Sequence, residues 1–321
     1  MYIAMFVVYN AFMRKVLVIV GPTSSGKTSL SVKLCEKFGG EIISADSRQV
    51  YKDMDIGTGK VPVGSMAKIK ELEDHWELDA TIVWGYDLAT PDEYFTVYDY
   101  AKWSIPKIEG LLGEGKTPFL VGGTGFYTDV VTGIKTVAGA KPDFELRKSL
   151  ETTTTKSLVT RLTSLNPEVA ERLDLNNRAR LIRALEVELT KEKNTTPLPR
   201  LNDVEFIFVG LTAPRDFLYD RVDKWLDTIW DNGLIEEAKI LIKKYPKSRL
   251  LNGLVYKSVV SFIKEETSEE EARQRAKYDL HSYIRRQQTW FKKNEDIKWF
   301  DVTDKNFGKQ VEEHVIFHID G

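Results

Sequence analysis

The sequence is short of sulfur and histidine, carries no real charge excess, and has no long apolar run. Its one thiol, Cys35, excludes an internal disulfide and any zinc site built on cysteine pairs, and reads as a small core residue. The four histidines, His75, His281, His314 and His318, lack metal-ligand spacing; the last two fall in what reads as a solvated tail. With 46 Lys and Arg against 48 Asp and Glu, the chain is not a globally basic nucleic-acid binder, so any RNA contact must be a local patch. Residues 141–293 lean basic, 29 to 24, whereas the remainder leans acidic, 17 to 24. The apolar opening, residues 1–12, is too short to cross a bilayer and lacks the basic start of a signal peptide. It reads as an upstream extension with Met13 as a natural start, and nothing points outside the cytoplasm or to a membrane. At 321 residues and 42% hydrophobic, the chain suits a core with one or two smaller units.

What is present is one organising stretch. Val16-Leu-Val-Ile-Val20 is apolar throughout, mostly β-branched, and reads as a buried strand of a parallel sheet. Gly21, Pro22, Thr23, Ser24, Ser25, Gly26, Lys27 and Thr28 follow and match G-x-x-x-x-G-K-[ST], a phosphate-binding loop. Gly21 and Gly26 permit turns that aim successive N–H groups at a phosphate. Lys27 adds a point charge, Thr28 offers a hydroxyl to Mg²⁺, and the following helix turns its positive end to the same anion. The loop says what is held and leaves open what is transferred.

Further along, Glu41–Ala45 reads as a second strand that delivers Asp46 to its carboxyl end, where open α/β sheets bind ligands; a helix-capping aspartate is the other reading. Residues 55–62 form a glycine-rich loop, Ile82–Asp87 a candidate strand, and Tyr98–Leu112 a helix. Thr117–Val121 is a third buried strand leading into Gly122-Gly-Thr-Gly-Phe-Tyr127, a glycine cluster that suits close approach to a ligand or an ordinary strand-to-helix turn. An Arg-rich helix runs from Arg178 to Glu186, with Arg180 and Arg183 on one face for a phosphate backbone or for salt bridges. Val204–Leu211 returns to the strand pattern and rejoins the sheet, and helices are expected from Ala213 to Gly233 and over about 234–245, 255–264 and 268–293. In the last, Arg273, Arg275, Lys277, Arg285, Arg286, Lys292 and Lys293 alternate with aromatics, a pattern for RNA contact or for a packed core.

Together these stretches resemble one family, the tRNA dimethylallyltransferases, also called tRNA isopentenyltransferases. The likeness lies in Gly21–Thr28, Ile43–Tyr51, Asp55-Ile-Gly-Thr-Gly-Lys60, Val121–Tyr127, Arg183–Val187, Arg215 with Tyr219-Asp-Arg221, and Arg285–Phe291, in the family's order over residues 14–300. It implies an α/β fold, a P-loop-type parallel sheet flanked by helices with a helical insertion and a helical C-terminal part. The expected bounds are an extension to residue 13, a core over 14–135, a tRNA-binding insertion over 136–204, the rest of the core and C-terminal helices over 205–300, and a tail over 301–321. The implied reaction moves a dimethylallyl group from its diphosphate to N6 of the adenosine 3′ of the anticodon. In that resemblance Asp46 is the general base, Thr23 and Arg221 orient the diphosphate, and Mg²⁺ sits at Thr28. The tRNA contacts it implies are Asp46, Ser47, Arg48 and Gln49; Thr124; Arg147; Arg178, Ala179, Arg180, Leu181 and Ile182; and Leu251, Asn252, Gly253, Leu254, Val255 and Tyr256. The partners are a tRNA anticodon stem-loop and dimethylallyl diphosphate, acting on a monomer.

The chain departs from the family at Val83-Trp-Gly-Tyr-Asp87, Leu175-Asn-Asn177, Trp225, Val255 and Leu280-His-Ser282. Two other readings use the same loop: an adenylate isopentenyltransferase acting on a free nucleotide, and a small-molecule kinase or NTPase.

Overall fold

The computed structural model describes residues 13–60, 68–137, 142–190 and 197–319; the extension expected over residues 1–12 lies outside them. Eight strands form one sheet in the order β3-β4-β5-β2-β6-β1-β7-β8. They are β1 (Arg14–Val20), β2 (Gly40–Ser44), β3 (Ile69–Glu71), β4 (Trp76–Leu78), β5 (Thr81–Trp84), β6 (Thr117–Gly122), β7 (Val204–Thr212) and β8 (Lys298–Asp301). From β5 to β8 every pairing is parallel, while β3, β4 and β5 form an antiparallel edge. β1 lies between β6 and β7, and Val16 to Val20 are essentially fully buried, as a central parallel strand covered on both faces requires.

The helices of the sheet-bearing unit are α1 (Lys27–Phe38), α2 (Val97–Gly113) and α3 (Gly125–Val131) in its first part. After β7 come α8 (Arg215–Ile229), α9 (Ile235–Lys244), α10 (Leu254–Ile263), α11 (Glu269–Phe291) and α12 (Phe307–Ile319). α2 starts on a reciprocal cap in which Thr96 and Asp99 satisfy each other's backbone N–H groups. α8 and α9 are separated by a kink at Asn232 and Gly233, the latter at φ 110°. Cys35 packs in the sheet's core, and burial pushes its thiol well above the usual range.

The C-terminal stretch corrects an expectation. Residues after 300 are not a solvated tail: β8 extends the sheet, and Val311 and Val315 of α12 are fully buried in the same core as Phe300 and Leu211. Their four-residue spacing is one helical stripe, too short and too near the terminus to stand out in sequence. Lys15 donates to the carbonyls of His318 and Ile319, which ties the last turn down, and partial burial lowers the His314 pKa.

Residues 136–199 form a compact unit of their own. It contains α4 (Phe144–Glu151), α5 (Thr155–Leu165), α6 (Pro167–Arg172) and α7 (Arg178–Thr190), packed around Leu150, Leu158, Leu162, Leu181 and Leu185. Glu186 is its buried polar centre. Its carboxylate accepts from Arg147, Arg183 and the Asp143 amide, and these donors hold its pKa below the usual range against burial.

Candidate active site

The phosphate loop hangs between β1 and α1. Gly21, at φ 146°, sits where a Cβ would lie 2.4 Å from the Leu211 carbonyl oxygen, so only glycine lets the loop leave β1 beside β7. Ser24 and Gly26 are also left-handed, at φ 62° and 89°, which folds the loop over the start of α1. Lys27 bends back so that its ammonium donates to the Pro22 carbonyl at 2.8 Å.

The loop forms one wall of a cleft of about 340 Å³. Thr23, Ser24, Gly26, Lys27 and Thr28 line it from this side; Asp46, Arg48 and Gln49 line it from the carboxyl end of β2; Arg221 and Trp225 reach in from α8 and Tyr283 from α11. Desolvation lowers Lys27 to about 8, opposed by the Asp46 charge. The same desolvation raises the Asp46 pKa, opposed by the Arg48 amide, which donates to its Oδ1 at 2.9 Å, and by Lys27. The cleft thus holds a strengthened carboxylate base beside a cation that titrates near neutrality.

Asp46, Ser47 and Thr124, far apart in sequence, are brought together by the pairing of β2 with β6. Thr124 Oγ1 accepts from the Ser47 amide at 3.0 Å and donates to Ser47 Oγ at 3.2 Å, and its own amide donates to the Ala45 carbonyl. Gln49 is turned inward, with Oε1 accepting from Ser44 and Nε2 donating to the Thr58 carbonyl. The glycine cluster after β6 is close-packed chiefly against protein. A Cβ at Gly122 would lie 2.1 Å from the Ala45 carbonyl oxygen, one at Gly123 2.3 Å from Gln287, and one at Gly125 2.2 Å from Trp290.

In the 251–256 stretch, Leu251 and Val255 face the core, Asn252 is exposed, and Gly253, Leu254 and Tyr256 line the cleft. In the separate helical unit, Leu181 and Ile182 belong to the core, and Ala179 and Arg180 are exposed. There Arg147 and Arg183 pair with Glu186, and Arg178 donates to the carbonyls of Leu150, Glu151 and Thr153. Of the basic residues of α11 and the two that follow it, Lys277 and Arg285 bond to Asp227 and Tyr219 of α8 and Arg273 to Asp231 just beyond α8, while Arg275, Arg285, Arg286, Lys292 and Lys293 are exposed.

Three residues that build the cleft were missed as site residues. Gln287 accepts from the Thr23 amide at 2.8 Å and donates to the Gly123 carbonyl at 3.0 Å, joining α11 to both the phosphate loop and β6. Glu237 of α9 accepts the amides of Asp55, Ile56 and Gly57 and the Tyr256 hydroxyl, and so fixes the loop that carries Gly57 and Thr58 into the cleft. Lys60 is fully buried, bonded to Asp55 and to the Tyr51 carbonyl at 2.7 Å each, and to Asp87. The motifs containing Lys60 and Gln287 were visible in sequence, but a lone polar residue on a helix, as at Glu237, gives no such signal.

The residues suit a magnesium ion carried in on a diphosphate. The Thr28 hydroxyl has no hydrogen-bond partner among the described residues, and Thr28 and Asp46 both line the cleft. Those residues hold no cluster of three or more His, Cys, Asp and Glu for a metal cage, and Mg²⁺ is commonly bound through one or two protein oxygens plus phosphates.

The family model described as IPP transferase matches residues 49–294. A tRNA dimethylallyltransferase of Acetivibrio thermocellus is 35% identical, over 96% of this chain and 98% of that protein. The crystal structure of the full-length tRNA isopentenylpyrophosphate transferase of Bacillus halodurans superposes with TM-score 0.67 at 32% identity, covering 95% of each chain. A eukaryotic dimethylallyltransferase solved acting on tRNA shares the fold, with TM-score 0.71 at 24% identity, covering 94% of this chain and 78% of that one. The sheet order, the phosphate loop and these matches agree: the chain belongs to the IPP transferase family, that of the tRNA dimethylallyltransferases.

Proposed function

We propose that this protein transfers the dimethylallyl group of dimethylallyl diphosphate to N6 of the adenosine 3′ of a tRNA anticodon, position 37. The observation that carries the reading is the convergence on one cleft of a phosphate loop, a buried carboxylate and an arginine with no ion-pair partner among the described residues. The reacting C1–O bond breaks as N6–C1 forms, so negative charge gathers on the departing diphosphate while the amine must lose a proton.

Asp46 takes that proton. Its raised pKa makes it a stronger base than a surface carboxylate, and its contact with the Arg48 amide holds it in place. The backbone of the phosphate loop and Lys27 receive the developing charge, with Thr23 and Arg221 orienting the diphosphate from two sides. Thr28 would hold a diphosphate-bound Mg²⁺, which would supply further neutralisation of the leaving group.

The base must leave the anticodon-loop stack to enter, at a cost of a few kcal/mol. Asp46, Ser47, Arg48, Thr124 and the cleft-facing part of 251–256 would receive it. The helical unit, where Arg180 is exposed, would grip the stem, so binding would weaken with salt. The protein works as a monomer.

In vitro prenylation of an anticodon stem-loop tests the reading: labelled dimethylallyl should enter RNA that has the adenosine and not RNA that lacks it. Transfer to free adenylate with none to RNA would identify the nucleotide-prenylating relative instead, and ATP turnover without prenyl transfer would identify a kinase or NTPase.

A further inference from the structure

Arg221 has no ion-pair partner among the described residues; its guanidinium carbon lies 5.6 Å from the ring of Phe217 on its own helix. Where that cation stands in the cleft is therefore set by how α8 is seated. Part of the seating is apolar: Leu218, Val222 and Leu226 of α8 and Ala276, Leu280 and Ile284 of α11 are all buried. Apolar contact is non-directional and tolerates some rolling of one helix on another.

A polar ladder on the flank opposes that rolling. Arg285 donates to the Tyr219 hydroxyl at 3.0 Å, His281 Nε2 lies 2.8 Å from Asp223, Lys277 lies 2.8 Å from Asp227, and Arg273 pairs with Asp231. Positions 219, 223 and 227 of α8 thus meet 285, 281 and 277 of α11, one rung per turn of two antiparallel helices, and Asp231, just past the end of α8, meets 273. Arg221 lies midway between two rungs, Tyr219 with Arg285 and Asp223 with His281. These two rungs are joined, because the Tyr219 ring stacks on the His281 ring at 3.9 Å and 10°. Asp223 is two residues beyond Arg221, roughly 200° around the helix. It holds the helix from the side away from the arginine. His281 falls in one of the stretches where the chain departs from its family.

We infer that Asp223 and His281 are positioning residues for Arg221, fixing the roll of α8 on α11 so that the guanidinium meets the diphosphate. This rests on Arg221 being a diphosphate ligand, and the test separates the two claims.

The experiment is calorimetric titration of inorganic diphosphate with Mg²⁺ into the full chain and its variants. Arg221→Ala should weaken binding by more than about tenfold, the scale for truncating one partner of a charge pair. His281→Ala should weaken it about fivefold in the wild-type background and less than about twofold in the Arg221→Ala background, since an effect passing through Arg221 is not additive. His281→Gln, whose amide N–H can still reach Asp223, should recover most of the loss. If Arg221→Ala binds like wild type, the diphosphate role of Arg221 is gone. If Arg221→Ala weakens binding but His281→Ala does not, or if His281→Ala costs the same in both backgrounds, the positioning inference alone is overturned. Should His281→Ala fail to fold, Asp223→Ala, which removes the acceptor, replaces it, with the same loss and the same non-additivity expected.

Discussion

The two walls of the cleft are made in different ways. The phosphate wall is one uninterrupted run, Gly21 to Thr28, between a strand and a helix that adjoin it in sequence. The facing wall draws on the turn after β2, the 57–59 loop, α8, the 253–254 turn and α11. A continuous loop takes its shape from its own residues, with Gly21 and Gly26 in conformations that suit glycine. An assembled wall takes its shape from remote side chains, here Glu237, Lys60 and Gln287. Perturbing it therefore does not require touching the cleft.

The strongest way to sharpen this contrast is Asp46→Asn, which removes the base and leaves the shape. Turnover should fall by about 10²–10⁴, the range for a general base, with inorganic diphosphate bound no more weakly than by wild type. Single-turnover prenylation beside diphosphate titration checks both halves; near-normal turnover would remove Asp46 from the chemistry.

Lys60→Met tests the assembled wall at a distance. It leaves Asp55 and Asp87 without their cation, and removing one partner of a buried pair costs about 3–5 kcal/mol. Urea unfolding should show that loss, and a change below about 1 kcal/mol would mean the 55–60 loop is held otherwise.

Gln287→Ala attacks the junction of the two walls. Loss of its bonds to Thr23 and Gly123 should cost about 1–3 kcal/mol and raise KM for the donor more than it lowers kcat. A KM like that of wild type would show that the phosphate loop keeps its shape unaided.

The mildest probe is pH. With Asp46 raised, kcat/KM should climb as its carboxyl loses its proton; with Lys27 lowered, it should decline as pH rises through about 8 and the ammonium is lost. Lys27→Arg, charged throughout, should flatten the alkaline limb.

Much of the architecture was legible because its signals are local. The strand–loop–helix at residues 16–38, the strand at 204–211 and the strand at 117–121 each announce themselves by apolar runs and bounding glycines. Elsewhere the same signals had two meanings. The glycines at 122–125 suit a ligand's approach or a simple turn; Gly122 and Gly123 line the cleft, and the cluster also admits Ala45, Gln287 and Trp290. The basic residues of α11 divide: Lys277 and Arg285 bond to α8 and Arg273 to Asp231 just beyond it, whereas Arg275 and Arg286 face solvent. Which side of a helix a charge occupies is plain from spacing, but what faces that side is not. The C-terminal helix was missed because two valines make too short a stripe to separate from a polar tail.

By itself, the sequence determined the phosphate loop, the strands that carry it and Asp46, and the family, because these lie in short runs whose conformation or chemistry is set by neighbouring residues. Only the tertiary structure decided that Asp46 sits beside Lys27 in a desolvated recess, that Arg221 lines the same cleft, and that Gln287, Glu237 and Lys60 brace the walls. Desolvation and hydrogen bonding between distant segments depend on which elements pack together, and no local pattern encodes that.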